Sequence, residues 1–189
     1  MTKFYSTLLV VLFFNLKVHS QNTPGSIASV EQSIYGVQTG FLGAWVHNES
    51  RLSNSIALRS EVGLDATFGY NSFLGDYFKM VPVLTLEPRW YYNLERRLRK
   101  SKRIDNNAGN FIALKTSLRP DLFEIGSNDN IRIIPDFQLI PTYGLRRNIG
   151  QHFNYEVGFG IGYIRYFEER LRDQNDAVVN LHLRIGYRF

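Results

Sequence analysis

Apolar and polar side chains alternate along most of the chain with the period of an extended strand. From Ala177 to Phe189 one face carries Ala177, Val179, Leu181, Leu183, Ile185, Tyr187 and Phe189, and the other Val178, Asn180, His182, Arg184, Gly186 and Arg188. Successive side chains of a strand point to opposite faces, so this spacing predicts one apolar and one polar face. Strands of soluble domains usually run for about five or six residues, whereas alternation sustained this far matches a tilted strand crossing a bilayer.

The pattern recurs upstream. Phe153, Tyr155, Val157, Phe159, Ile161 and Tyr163 oppose Asn154, Glu156, Gly158, Gly160 and Gly162. Ile131, Ile133, Pro135, Phe137, Leu139, Pro141, Tyr143 and Leu145 oppose Arg132, Asp136, Gln138 and Thr142. A weaker segment sets Ile112, Leu114 and Leu118 against Lys115 and Arg119. Met80, Pro82, Leu84, Leu86, Pro88, Trp90 and Tyr92 oppose Lys79, Thr85, Glu87 and Arg89. Ile56, Leu58, Val62, Leu64, Ala66, Phe68 and Tyr70 oppose Arg59, Glu61, Asp65 and Thr67. A first segment, Tyr35 to Val46, keeps Tyr35, Val37, Phe41 and Trp45 together. Proline cannot donate to a ladder, so Pro82, Pro88, Pro135 and Pro141 are expected at strand ends or bulges.

These segments predict an all-β fold, a transmembrane antiparallel up-and-down β-barrel. Seven strands read directly, and the even count of bacterial barrels raises the expectation to eight. With both termini at one end, the eighth strand is expected near Ser26 to Gln32, ahead of Tyr35. The connections around 47–53, 93–109 and 146–151 then share the end that holds the termini, and those around 71–78, 119–130 and 168–175 the other. Arg146-Arg147-Asn148 leading into Glu156-Val157-Gly158 faintly echoes Arg51-Leu52-Ser53-Asn54 leading into Glu61-Val62-Gly63, each a short turn feeding a strand.

The N-terminus reads as an export signal. Lys3 supplies positive charge, Phe4 to Leu16 is mostly apolar, and Val18-His19-Ser20 precedes Gln21 with small residues at the usual cleavage positions. That apolar core is too short to span a bilayer as a helix, which takes about 20 residues. The expected organisation is a signal peptide at 1–20 and one barrel domain at 21–189. Loss of Lys3 and Lys17 with the leader lowers the net charge from +5 to about +3, too mild for a nucleic-acid footprint. Cysteine is absent, which excludes disulfides, thiolate metal sites and a lipidated N-terminal Cys. The 14 Phe, 11 Tyr and 2 Trp sit in a chain whose mean hydropathy is only −0.21, the balance of a polar interior beside lipid-facing rings.

The closing Leu181-His182-Leu183-Arg184-Ile185-Gly186-Tyr187-Arg188-Phe189 resembles the C-terminal strand of outer-membrane proteins, with a final Phe, Tyr two before it and alternating apolar residues behind. Together with Leu86-Glu87-Pro88-Arg89-Trp90-Tyr91-Tyr92-Asn93-Leu94, it makes the mature chain similar to small outer-membrane barrels of Bacteroidota, of the flavobacterial type, many without an assigned activity. The resemblance implies an integral outer-membrane location and an assembly signal at Tyr187 and Phe189 read by the barrel-assembly machinery. It carries no catalytic motif.

The polar faces collect a candidate interior charge network: Arg59, Glu61, Asp65, Glu87, Arg89, Arg132, Asp136, Glu156, His182 and Arg184, with Lys79, Lys115 and Arg188 also inward. Such a set can line a selective channel or a proton-linked site. A ring of eight strands is just wide enough for its own side chains, and buried charges must be paired, so a salt-bridged plug is the expected reading. Gly158, Gly160 and Gly162 lack the helix that a phosphate loop must open, and are expected to leave room for large groups such as Arg. His182 is expected as a member of the interior network rather than a general base. His47 and His152 fall in expected turns, and no His pair has metal-ligand spacing.

Glu95 to Arg103 forms a basic connector carrying Arg96, Arg97, Arg99, Lys100, Lys102 and Arg103. Asn93 is expected to cap a short helix with Leu94 and Leu98 on one face, and Asn106 to Asn110 is turn chemistry. The cations are either a solvated connector or a grip on lipid phosphates, from inner-leaflet head groups or from lipopolysaccharide if the topology is inverted. The expected partners are therefore membrane lipids and the assembly machinery, with no cofactor, metal or catalytic set. Three functional classes follow: a non-enzymatic barrel with a structural, envelope-integrity or surface-interaction role, a narrow channel for small or amphiphilic solutes, and a lipid-modifying barrel enzyme.

Overall fold

The computed structural model describes residues 28–72, 75–127, 130–168 and 173–189. The expected leader at 1–20 lies outside the described residues. The chain runs β1 (Ser33–Gly40), β2 (Gly43–Arg51), β3 (Ile56–Asn71), β4 (Gly75–Trp90), helix α1 (Leu94–Arg99), a 3₁₀ turn (Asp105–Asn107), β5 (Asn110–Arg119), β6 (Ile125–Gly126), β7 (Asp136–Ile149), β8 (Phe153–Tyr166) and β9 (Asn175–Arg188).

Every strand pairing is antiparallel. The pairing of β1 with β9 closes a hydrogen-bonded ring through eight strands. The two-residue β6 stands outside that ring and covers Lys79 and Met80 of β4 beyond the end of β5. The registers also give the stagger. Val37 leads through Val46, Val62, Leu84, Leu118, Phe137, Arg165 and Asn175 back to β1. The offset on return is about twelve residues, which for eight strands tilts them by roughly 45° and leaves an interior that side chains fill.

Eight ring strands were expected, but one of them is not where the alternation placed it. The Tyr35–Val46 segment is a hairpin, β1 and β2, joined at Phe41 and Leu42. Gly43 takes φ +142°, where a side chain would meet the Leu64 carbonyl, so only glycine lets the chain reverse there. The reversal shifts the parity: Tyr35 and Val37 face outward while Trp45 is buried. Residues 28–32, expected within a strand, are irregular and fold onto the ring instead, with Val30 fully buried. Likewise, residues 131–135 are not strand. Ile133 N–H donates to Glu124 Oε1, which draws this segment into the loop, and β7 begins only after Pro135.

The remaining prolines are neither at strand ends nor at bulges. Pro82, Pro88 and Pro141 lie inside strands, and each coincides with a lapse in one of its two ladders. Pro88 pairs with Leu58 while the β4–β5 ladder skips it; Pro141 pairs with Leu114 while the β7–β8 ladder skips it; Pro82 pairs with Leu64 and lies beyond the β4–β5 ladder. The sheet thus tolerates three missing donors by leaving them on one side only.

The ring is apolar outside and polar inside. Val62, Leu86, Ile112, Val157, Phe159, Ile161, Val179, Leu181, Leu183 and Ile185 are among many large apolar side chains left exposed on its outer face. Among the described residues, polar and charged groups make up most of the buried set. An apolar cluster sits at one mouth of the ring, the one where β1 begins and β9 ends. There Val30, Ala57, Tyr91, Leu94, Phe111 and Ala113 pack together, with Ala28 and Ile104 beside them.

Candidate functional site: a compensated charge network

The strand registers set two rows of alternating charge on the inner face. Glu49 of β2, Arg59 of β3 and Glu87 of β4 are cross-strand partners, and so are Arg146 of β7, Glu156 of β8 and Arg184 of β9. One row reads negative–positive–negative and the other positive–negative–positive. They meet across the lumen. Arg146 binds Glu49 at 2.8 Å and Glu156 at 2.9 Å. Arg89 reaches Glu156 at 2.8 Å and Glu87 at 2.9 Å, and its plane lies 4.3 Å over the Phe111 ring. Glu61 holds Arg59 at 2.6 Å and Arg184 at 2.8 Å, and Arg184 stacks 3.9 Å from the Trp45 ring.

Neutral groups add hydrogen bonds to the network. Tyr91 Oη and Asn107 Nδ2 donate to Glu49 Oε1 at 2.7 and 2.6 Å, and Arg59 donates to Gln38 Oε1 at 2.6 Å. Four carboxylates (Glu49, Glu61, Glu87, Glu156) thus face four guanidiniums (Arg59, Arg89, Arg146, Arg184), all of them buried. Charges out of water are tolerated only when so paired and hydrogen-bonded. Each of these eight groups has a partner of opposite charge within 2.9 Å.

Of the charges expected inside, Arg59, Glu61, Glu87, Arg89, Glu156 and Arg184 are brought together, and His182 joins them with Nε2 3.4 Å from Glu156 Oε1. Gly158 makes room for that imidazole: a Cβ there would stand 2.3 Å from His182 Cε1. The glycine therefore admits a histidine, not an arginine, while Gly160 and Gly162 lie against the backbone of Pro141 and Leu139. Asp65 stands apart and accepts from Trp45 Nε1 at 2.9 Å. Asp136 sits near the far mouth with Arg119 at 2.5 Å and Gln138 at 3.0 Å. Arg132 does not face the interior at all. It is exposed and pairs with Asp121, because its segment is loop rather than strand. Arg188 is likewise at the mouth, bound to Glu31 at 3.1 Å and to Asp105 at 3.4 Å.

Two central members lie outside the expected strands. Glu49, with the buried His47 beside it in sequence, precedes a turn that begins only after Arg51, and Arg146 precedes a turn that begins only at Gly150. Continuing the alternation from Val46 through Asn48 and Ser50 finds Glu49, and continuing it from Leu145 through Arg147 and Ile149 finds Arg146. Tyr91 and Asn107 come from the connection between β4 and β5 and carry no such signal.

That connection is more than a turn. Asn106 and Asn107, both at positive φ, are buried, as are Ala108 and Gly109. The helix forms at Leu94–Arg99 with Leu94 buried, but Asn93 does not cap it; its Oδ1 accepts from the Asn110 N–H at 2.8 Å. Among the connector cations, Arg96, Arg99, Lys100, Lys102 and Arg103 are exposed and Arg97 half-buried. Arg99 pairs with Glu95 at 3.4 Å, and Arg103 with Asp105 at 2.7 Å. The Arg103 hydrogen bond holds the Asp105 carboxyl below the usual carboxylate range. At the chain end, Tyr187 lies between His152, Phe153 and Phe189, with ring centroids 5.5, 5.2 and 5.7 Å away, and Phe189 is 80% exposed. No protein-family model, curated protein or solved structure matches the chain.

Proposed function

We propose that the chain is a plugged, non-enzymatic β-barrel integral to the outer membrane of a Gram-negative cell, with a structural, envelope-integrity or surface-interaction role. The observation that carries this reading is the inverted distribution of side chains: a continuous apolar outer face around a charged, buried interior. Soluble monomers seldom expose apolar patches beyond a few hundred Å², whereas a bilayer-spanning ring requires such a surface. The rims agree. Outward-facing Phe153 and Tyr163 lie ten residues apart on β8, ~33 Å along the strand and about 23 Å across a bilayer at the tilt of the ring. That is close to the height of an outer-membrane apolar band between its aromatic girdles.

The interior favours a plug over a channel. The rows of opposite sign lock across the lumen, and Tyr91, Leu94 and Phe111 close the mouth below them. His182, the one expected interior base, is packed between Gly158 and Glu156 rather than set at a lipid-facing rim. Protein refolded into a planar bilayer should show no stable conductance. Reproducible, ion-selective channels of porin size would overturn the plug.

A further inference from the structure

A cavity of about 350 Å³ opens at the mouth that holds the termini, lined by Arg97, Lys102, Arg103, Ala108, Arg147 and Asn148. Four of its six lining residues are cations and none is an acid. Its walls are tied in place. Arg97 folds back onto the Arg103 carbonyl at 2.9 Å, and the Lys102 N–H returns to the Arg97 carbonyl at 2.9 Å. Arg147 donates to the Gly109 carbonyl at 2.9 Å and to Asn110 Oδ1 at 2.5 Å, while Asn148 Nδ2 donates to the Asp105 carbonyl at 2.9 Å.

Arg103 alone of the four has a carboxylate partner among the described residues, Asp105. Arg97 and Arg147 spend their bonds on carbonyl and amide oxygens, and the Lys102 ammonium has no partner among the described residues. Burial and then the Arg147 charge push Arg97 below the ordinary arginine range. Like charges held together in this way are stabilised by an anion between them. The position says which. Arg147 is on the outer face of β7, and Asn110, which it grips, donates to the Tyr143 hydroxyl at 2.9 Å. Tyr143 in turn bonds Tyr92 at 3.2 Å, and Tyr92 packs on Trp90 at 6.0 Å. The cavity therefore opens level with the aromatic rim, where phospholipid head groups lie in a membrane-inserted barrel.

We infer that this cavity binds the phosphate of an anionic phospholipid head group in the leaflet on the side of the termini, Arg97, Lys102 and Arg147 forming the site. The inference rests on the membrane reading above. Its test uses the full chain carrying Trp45→Phe, so that Trp90, linked to the cavity through Tyr92, Tyr143 and Asn110, is the sole tryptophan. The protein is reconstituted in phosphatidylcholine vesicles containing a minor fraction of brominated phosphatidylglycerol, and separately the same fraction of brominated phosphatidylcholine. Brominated phosphatidylglycerol should be enriched at Trp90 by roughly fivefold, the factor that one basic residue at an anionic membrane surface supplies. Lys102→Glu should abolish the preference, and Arg147→Gln should reduce it. Arg96→Glu, exposed and outside the cavity, should keep it. Equal quenching by both lipids in the parent protein, or equal loss in Arg96→Glu and Lys102→Glu, would overturn the site while leaving the membrane reading intact. No quenching by fully brominated phosphatidylcholine would instead sink the membrane reading. A soluble-anion site is the remaining outcome: no lipid preference, with inorganic phosphate raising the thermal midpoint in detergent more than chloride at equal ionic strength. That too overturns the lipid assignment.

Discussion

Glu156 holds Arg89 and Arg146 together from one carboxylate, so its loss leaves two buried guanidiniums short of a counter-ion. Breaking such a pair costs about 3–5 kcal/mol, so Glu156→Ala should lower the urea midpoint in detergent micelles far more than Glu95→Ala, whose exposed pair with Arg99 contributes little. Equal midpoints would mean that water fills the lumen and screens the network. Gly158→Ala places a methyl against the His182 ring, and overpacking of this kind costs about 1–3 kcal/mol. Adding His182→Ala should recover part of that loss; if the double variant is no more stable than Gly158→Ala, the ring contact is not what requires glycine. Most of these residues were legible, because Arg59, Glu61, Glu87, Arg89, Glu156 and Arg184 all fall on the polar parity of long strands. Glu49 and Arg146 were not, because polar residues near a strand end look like a turn until the cross-strand register is known. Arg132 was misread for the converse reason, a loop whose apolar residues happen to alternate.

At the scale of elements, alternation located the long strands well and their ends poorly. Two glycines flanking Phe41-Leu42 turned one expected strand into two, so the eighth strand was hidden inside a segment already read rather than missing upstream of it. The connection from Tyr91 to Gly109 holds few periodic residues, so the burial of Tyr91, Leu94 and Ala108 emerges only from the folded chain. The last strand joins packing to assembly. The Phe189 N–H donates to the Tyr35 carbonyl at 3.1 Å, and its ring touches Tyr187 but is otherwise open. Deleting Phe189 removes little buried surface, so refolding from urea into micelles should survive with a loss below the ~1.5–3 kcal/mol of a fully buried ring. In cells the same variant should yield much less heat-modifiable, membrane-embedded protein, since the strand resembles the terminus that assembly machinery reads. A parallel fall in both assays would reduce Phe189 to a packing residue.

At the scale of the whole molecule, the proposed membrane barrel requires the outer side of the ring to meet lipid. Closure through β1 and β9 leaves only the short β6 pairing outside the ring, and the apolar outer face then has no protein partner among the described residues. The two tryptophans report the two sides. Trp45 is buried beneath Arg184, with its indole N–H on Asp65, while Trp90 is half exposed on the outer face. The deciding measurement is fluorescence of the single-tryptophan variants Trp45→Phe and Trp90→Phe, each reconstituted in phosphatidylcholine brominated near the head-group end of its acyl chains. Trp90 should be strongly quenched relative to unbrominated lipid, and Trp45 should be little affected. Trp90 left unquenched, or Trp45 quenched as strongly as Trp90, would contradict a barrel with its apolar face in the bilayer.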